Sequence, residues 1–222
     1  MLKNKAEYAT KAERWPISKA VRTTTFWFLI LAQLGYLMAL LGLLAHLVPW
    51  VKVDIGLPPT TAVNILSIFV LSSVISRFIA GFVSDALLPR FGRKPMLFLC
   101  TIGVALAMFC APVASNSASV IILIIWAGFC YGAGYALFPT YLGDLFGTAD
   151  LPPLLGTVML AVTAFGAVGP WYFGIIFDWE ASYDLAFLTT GGVCVLSVVF
   201  LALIRAPNTR LPKVTSARFQ NS

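Results

Sequence analysis

An arginine interrupts a long apolar stretch of the sequence. No charged side chain lies between Asp54 and Arg77, and the intervening residues include the run "VNILSIFVLSSVI". A charge at the centre of a membrane helix costs about 2.5–3.5 kcal/mol on insertion scales, so Arg77 should face a bundle interior or a watery cavity. Its planar guanidinium matches a carboxylate through two parallel hydrogen bonds, which makes a mobile organic-acid anion the simplest partner. The alternative is a structural ion pair, whose acid would have to come from another polypeptide because no long apolar segment of this chain contains one in its core.

Polar and aromatic residues in other apolar segments could surround the same anion. Tyr131 and Tyr135 are four residues apart, so they share one face of a helix and could offer flat walls and hydroxyl groups. Packing or an interfacial position is the alternative reading of both tyrosines. The further polar candidates for the site are Gln33, Tyr36 and Asn64.

Patterns typical of catalysis or of metal binding do not appear in the sequence. The four cysteines lie in apolar segments without CxxC spacing, which favours a packing role. There is no Gly-x-Ser-x-Gly segment, and His46, the single histidine, has no acid nearby. We interpret His46 as an interfacial residue, with a proton relay as the alternative. We therefore predict neither an enzyme, nor a cofactor, nor a metal site.

Membrane-spanning helices must position these residues. The chain has 222 residues, of which 59% are hydrophobic and 11% charged, whereas soluble domains carry about 25% charged residues. About 20 apolar residues cross a bilayer core as a helix, and the segments lack the alternation typical of barrel strands. We predict an all-α polytopic membrane protein with six transmembrane helices, at roughly 25–50, 60–84, 95–113, 118–142, 153–177 and 184–205.

The distribution of lysine and arginine predicts the orientation. Six of these cations precede the first span, three follow the second and four follow the sixth, whereas the opposite loops contain only Lys52. The positive-inside rule then places both termini in the cytoplasm. We expect a basic tail over 1–24, a six-helix domain over 25–205 and a disordered tail over 206–222. The net charge of +6 follows from this rule and from attraction to anionic lipid, and does not indicate nucleic-acid binding.

Small residues predict where the helices approach one another closely. The second and fourth spans carry them at short, regular spacings, namely Ser72, Ser76, Ala80 and Ser84 on the second and Gly128, Gly132 and Gly134 on the fourth. Such residues allow close packing of membrane helices. They could also allow bending during a conformational cycle, as could Pro139 and Pro170, each of which removes a backbone hydrogen bond.

The loop after the second span, "GFVSDALLPRFGRKP", combines an acidic helix end with a basic turn that contains glycine. It resembles the signature loop of the major facilitator superfamily, roughly G-x-x-x-D-spacer-R-x-G-R-K, with a longer spacer. The resemblance implies a gate that holds the cytoplasmic side shut in one state. Its residues would be Gly81, where a neighbouring helix approaches, Asp85, which pairs with Arg90 or Arg93, and Gly92, which permits the turn. The alternative is an ordinary positive-inside turn.

Two further segments resemble the monocarboxylate and oxalate/formate transporters of that superfamily. They are "AHLVPWVKVDIGLPPTTA", like the seventh helix and its following loop, and "YGAGYALFPTYLGDLFG", like the tenth helix and its exit loop. The resemblance makes this chain the C-terminal six-helix half and implies that Arg77 binds carboxylate beside aromatic residues at positions such as Tyr131 and Tyr135. Some oxalate carriers place a lysine where this sequence has Phe165, and a single arginine suits a monocarboxylate better than a dianion.

We therefore expect a transporter, or a half or fragment of one, that moves small organic anions by alternating access. The alternative is a scaffold or assembly protein that retains the transporter fold. Transporters of this superfamily bind substrate between two six-helix halves. The expected partners are the lipid bilayer, a small carboxylate and a second half, supplied by a longer chain, a separate chain or a second copy, in a plasma or inner membrane.

Overall fold

The chain forms a helical bundle, described by a computed structural model over residues 15–205, with backbone but not side chains at residue 85 and residues 87–91. The predicted tails lie outside the described residues up to residue 14 and from residue 206. Within 15–205 there are no strands. The helices are α1 (Ile17–Ala20), α2 (Thr24–Val53), α3 (Pro59–Phe91), α4 (Lys94–Cys110), α5 (Ser117–Phe146), α6 (Leu151–Gly166), α7 (Val168–Glu180) and α8 (Asp184–Leu203), and a 3-10 turn follows α4 at Ala111–Val113.

Six helical segments are long and apolar enough to cross a membrane, which confirms the predicted all-α, six-span architecture. They are Thr24–Val53, Pro59–Ser84, Lys94–Val113, Ser117–Phe146, Leu151–Glu180 and Asp184–Leu203. The short helix α1 before the first of them also agrees with the sequence, in which Pro16 precedes its first turn.

Local sequence fixes several helix ends. The Thr23 side chain accepts a hydrogen bond from the Phe26 N–H at the start of α2, and Asn116 and Ser119 form a capping box at the start of α5. Gly92 follows α3 with φ +71° and Gly147 follows α5 with φ +80°, a region that glycine enters without steric cost. The second span ends at Ser84, as predicted, while the backbone of its helix stays helical through the spacer "ALLP" as far as Phe91.

The fifth predicted span, 153–177, is divided rather than continuous. Helix α6 ends at Gly166 and α7 begins at Val168, with Ala167 between them. Pro170 has no N–H, so the Gly166 carbonyl loses its usual partner four residues later. The Ala167 N–H still bonds the Thr163 carbonyl at 3.0 Å, and the chain therefore runs on into α7 without a loop.

Helices α3 and α5 form the most extensive helix pair. A methyl group at Gly128 would collide with the Ser72 side chain, and one at Gly132 would collide with the backbone oxygen of Ser73 and the hydroxyl of Ser76. The two helices are therefore close enough for backbone to meet side chain directly, which confirms the packing role predicted for the small residues.

Helix α2 is the most buried of the spanning segments and contacts α3, α4, α6, α7 and α8. Gly42 faces the ring of Phe173, and Gly169 lies against the Met38 backbone, so α7 packs tightly on α2. His46 adds a polar link between them, since its Nε2 donates to the Pro170 carbonyl at 2.9 Å and its Nδ1 lies 3.1 Å from the Tyr183 hydroxyl.

The start of α2, the start of α4 and the end of α8 are tied together by side chains. The Lys94 ammonium, at the start of α4, donates to the carbonyls of Ala202 (2.9 Å) and Ile204 (2.7 Å) at the end of α8. The Thr25 hydroxyl, in the first turn of α2, donates to the Arg205 carbonyl at 2.7 Å. These bonds satisfy carbonyls that the end of a helix leaves without intrahelical partners.

At the other end of the bundle, Asp54 connects the end of α2 to the start of α8. Its carboxylate accepts the Tyr183 N–H at 2.9 Å and the Ser182 hydroxyl at 3.4 Å. Partial burial raises the pKa of this carboxyl, the Tyr183 N–H lowers it, and the charge of Asp184 raises it further, with a net rise. The folded protein therefore binds this proton more tightly than the unfolded chain does, and stability falls as the pH rises through the folded pKa.

Asp54→Asn is consequently expected to unfold at a higher temperature than the parent at pH 7. The amide oxygen can still accept both hydrogen bonds, while the ionised group and its repulsion from Asp184 are removed. The difference should vanish near or below the ordinary carboxyl pKa of about 3.9, where Asp54 is protonated in both states. Thermal unfolding in detergent at several pH values measures this, and a constant difference across the range would contradict it.

Candidate functional site

Arg77 of α3 and two tyrosines of α5 form one cluster. The guanidinium carbon lies 5.9 Å from the ring centre of Tyr131 and 5.3 Å from that of Tyr135, within the range of cation–π attraction. The two rings are 5.9 Å apart at 49°. The close packing of α3 on α5 produces this arrangement, because the same helix pair carries the glycine contacts and the three site residues.

The surroundings of Arg77 are open and mostly apolar. Arg77 is exposed and lines a hollow of about 290 Å³ together with Phe78, Gly81 and Phe82. Among the described residues no carboxylate pairs with its guanidinium. Arg77 lies seven residues before Ser84, the end of the spanning segment, which is about 10 Å along the helix axis. The guanidinium therefore lies at membrane depth without an acidic partner in the described part of the chain.

One of the two tyrosine rings packs against a further aromatic ring, and the other is more accessible. The ring of Tyr131 stacks on Phe69 of α3, with centres 5.7 Å apart and planes at 22°, and it is half-buried. The ring of Tyr135, one turn further along α5, is 39% exposed. A small acid could thus meet a fixed ring, a more accessible ring and a guanidinium whose N–H groups have no described carboxylate to bind.

Three other predicted site residues take no part in the ring contacts around Arg77. The hydroxyl of Tyr36 is buried and donates to backbone carbonyls of α5, at 2.9 Å from Cys130 and 3.0 Å from Tyr131. Gln33 is 7% exposed and its Nε2 has no hydrogen-bond partner. Asn64 is exposed and lies 13 residues before Arg77 on α3, about 20 Å along the axis. Contact of these three with a substrate stays a prediction.

The predicted gate is described only in part. The side chains of Asp85 and Arg90 lie outside the described residues, so their pairing is not tested. Gly92 makes the turn with positive φ. No atom lies within 4 Å of a side-chain carbon placed at Gly81, so no helix approaches there within the described residues, and the close approach expected at Gly81 is not seen. Arg93 bonds the Asp144 carboxylate at 2.6 Å and donates from Nε to the Ser84 hydroxyl at 3.1 Å.

Asp144 is a partner of the predicted gate that the sequence analysis does not name. It lies in the last turn of α5, so its pair with Arg93 ties the turn after α3 to the C-terminal end of α5. An available signal was that Asp144 is an acid in a segment predicted to be cytoplasmic, where the positive-inside rule favours cations.

We expect Arg93 and Asp144 to show energetic coupling. Arg93→Gln and Asp144→Asn should each lower the unfolding temperature slightly, and the double variant should lose less than the sum of the two. Asp144 is 38% exposed, so the coupling should lie within the range of about 0–1 kcal/mol found for surface pairs. Asp178→Asn, an exposed acid at the other end of the bundle, is the control and should be additive with Arg93→Gln. Additivity of Arg93→Gln with Asp144→Asn would contradict the pairing.

Comparison with known proteins identifies a family for the chain. A model of the Major Facilitator Superfamily matches residues 13–221. Monocarboxylate transporter 13 of Rattus norvegicus is 28% identical over 203 residues, covering 83% of this chain and 46% of the relative. Monocarboxylate transporter 3 of Gallus gallus is 28% identical over 153 residues, or 68% and 28% of the two chains. Probable transporter MCH1 of Yarrowia lipolytica is 27% identical over 136 residues, or 58% and 27%. The chain spans less than half the length of these relatives.

Proposed function

Because the chain belongs to the Major Facilitator Superfamily, we propose that it is one six-helix half of a transporter for small organic anions, with monocarboxylates as the favoured class. Membership of the superfamily indicates a membrane transporter rather than an enzyme. The substrate class is inferred from the site, with support from the relatives whose names include monocarboxylate transporter.

The observation that carries the proposal is the guanidinium of Arg77, which lies beside two tyrosine rings and has no carboxylate partner among the described residues. A charge at membrane depth is unfavourable unless it is solvated or paired. A carboxylate that enters the hollow satisfies the guanidinium through two charge-assisted hydrogen bonds. A scaffold protein with the same arginine would keep the unfavourable free energy of a charge at membrane depth, and no bound anion would offset it. The carrier function is therefore favoured over the scaffold alternative.

The surroundings of the cation favour one negative charge rather than two. In the described residues, Arg77 is the one cation of the hollow, and the rings of Tyr135, Phe78 and Phe82 provide apolar surface around it. A second carboxylate would be left without a partner there, and burying an unpaired charge costs several kcal/mol or more. The apolar end of a monocarboxylate can instead pack against the rings.

The open face around Arg77 supports a binding site completed by a second half. Phe78 is 68% and Phe82 is 78% exposed on the same helix face as the hollow. Substrate sites of such transporters lie between two repeats near the middle of the bilayer. The second half would cover this face and supply the opposite wall, whether it belongs to a longer chain, a separate chain or a second copy.

Uptake by the assembled transporter in proteoliposomes tests the proposal. Labelled pyruvate should enter in a saturable way, while the neutral pyruvamide and the dianion malonate should compete poorly. Equal competition by the amide would contradict recognition of the carboxylate, and preference for malonate would contradict the substrate class. Folded protein that moves none of these anions would favour the scaffold alternative.

A further inference from the structure

A buried hydroxyl from α2 reaches the turn of α5 that carries the cluster. Tyr36 is 3% exposed, and its hydroxyl is shared between the carbonyls of Cys130 and Tyr131 at 2.9 and 3.0 Å. Gly134, one turn later, has no side chain, and a methyl group there would collide with this hydroxyl. The absence of a side chain at Gly134 thus makes room for the bond.

The same turn of α5 is fixed from three sides. Gly132 lies against the Ser73 backbone of α3, and Cys130 places its sulfur against Gly103 of α4. The hydroxyl of Tyr36 supplies the third contact, from α2. The two glycine contacts are steric and non-directional, whereas a hydrogen bond prescribes both distance and angle. Tyr36 is therefore the contact that defines the rotation and height of this turn relative to α2.

We infer that Tyr36 is a positioning residue: it holds the α5 turn so that Tyr131 and Tyr135 face Arg77, and it does so without touching the substrate. The bond ends on the carbonyl of Tyr131 itself, four residues before Tyr135. This role differs from the direct contact predicted from sequence, and it rests on the proposed function only for its effect on transport.

Tyr36→Phe isolates the bond. The ring remains to fill its buried space, and the two carbonyls keep the acceptor roles that a helix gives them, so the fold is expected to survive. The loss of one hydrogen bond corresponds to about a two- to tenfold change. We expect the KM for pyruvate to rise by that factor while the maximal rate stays within about twofold. Gly134→Ala, which displaces the hydroxyl from the other side, should change the KM in the same direction.

Tyr172→Phe is the matched control. Its hydroxyl donates to Thr189 at 2.7 Å, on α7 and α8, away from the cluster. Removing that bond should leave the KM unchanged. An unchanged KM for Tyr36→Phe, or an equal rise for both variants, would overturn the inference.

A second pair of measurements separates positioning from direct contact. In a Tyr131→Leu/Tyr135→Leu background, Tyr36→Phe should add no further rise in KM, because Tyr36 acts through those rings. A full additional rise would show that Tyr36 contacts the anion and would overturn the inference.

Fluorine NMR of fluorotyrosine-labelled transporter provides a readout that needs no substrate. Tyr36→Phe should shift the resonances of Tyr131 and Tyr135, and Tyr172→Phe should not. If pyruvate is not transported but these resonances shift, the proposed function fails and the positioning role stands. If pyruvate is transported but the resonances do not move, the positioning role fails alone.

Discussion

Arg77→Ala is expected to reduce pyruvate uptake by about 100-fold or more in kcat/KM. Two charge-assisted hydrogen bonds, each worth about 1.5–3 kcal/mol, are lost together, and every 1.4 kcal/mol corresponds to a factor of ten. Arg77→Lys keeps the charge but loses the planar fork, so its uptake should fall between that of the parent and that of the alanine variant. The measurement is initial uptake into proteoliposomes at matched amounts of folded protein.

Lys52→Ala is the control for Arg77→Ala, because Lys52 is an exposed cation in the last turn of α2, outside the cluster. It should leave uptake within about twofold of the parent. Parent-like uptake by Arg77→Ala would remove Arg77 from the substrate site and, with it, the main support for an anion carrier.

Gly132→Ala is expected to destabilise the bundle strongly for a change of a single methyl group. The methyl would meet the backbone oxygen of Ser73, and a backbone atom cannot move aside as a flexible side chain can. Overpacking of this kind costs about 1–3 kcal/mol, occasionally more. Because α3 must move away from α5, Arg77 should also separate from the tyrosine rings, so uptake should fall together with the unfolding temperature.

The control for Gly132→Ala is Gly192→Ala on α8. No atom lies within 4 Å of a side-chain carbon at Gly192, so this variant gains the same helix propensity without a collision. We expect Gly192→Ala to match or exceed the parent in thermal unfolding, and Gly132→Ala to fall well below it. Equal unfolding temperatures for the two variants would contradict the close approach of α3 and α5.

The sequence predicts the spanning helices well because their signal is local. Apolar runs of sufficient length define each span, although the ends are less exact: the fourth span was predicted to end at 142, and its helix continues to Phe146, just before Gly147. The pairing of α3 with α5 could also be predicted in kind, since small residues on two helices favour contact. The gathering of Arg77, Tyr131 and Tyr135 follows from that pairing together with helical periodicity.

Other features depend on distances between segments that no local pattern contains. The bond between Arg93 and Asp144 joins residues 51 positions apart, whereas the pattern of the loop points only to the nearby acid Asp85, whose pairing stays a prediction. A polar group in an apolar segment needs a hydrogen-bond partner, which makes Tyr36 a natural candidate for a substrate pocket. The sequence does not show that backbone carbonyls of another helix are the partners of its hydroxyl. Gln33 shows the same ambiguity, and its amide nitrogen has no protein partner in the described residues.

The interruption at Ala167 gives the fifth span a position at which it can bend. Beyond it, α7 is fastened to α2 by the Gly169 contact and by the bond from His46 to Pro170. Before it, a methyl group at Gly166 of α6 would meet side-chain atoms of Leu41 and Leu37 at 3.3 and 3.4 Å, so α6 faces α2 through side chains that can shift rather than through a backbone oxygen. Because the Gly166 carbonyl lacks its usual backbone hydrogen bond, the fifth span bends at Ala167 at less cost than elsewhere. Helix α6 can therefore tilt while α7 stays packed on α2.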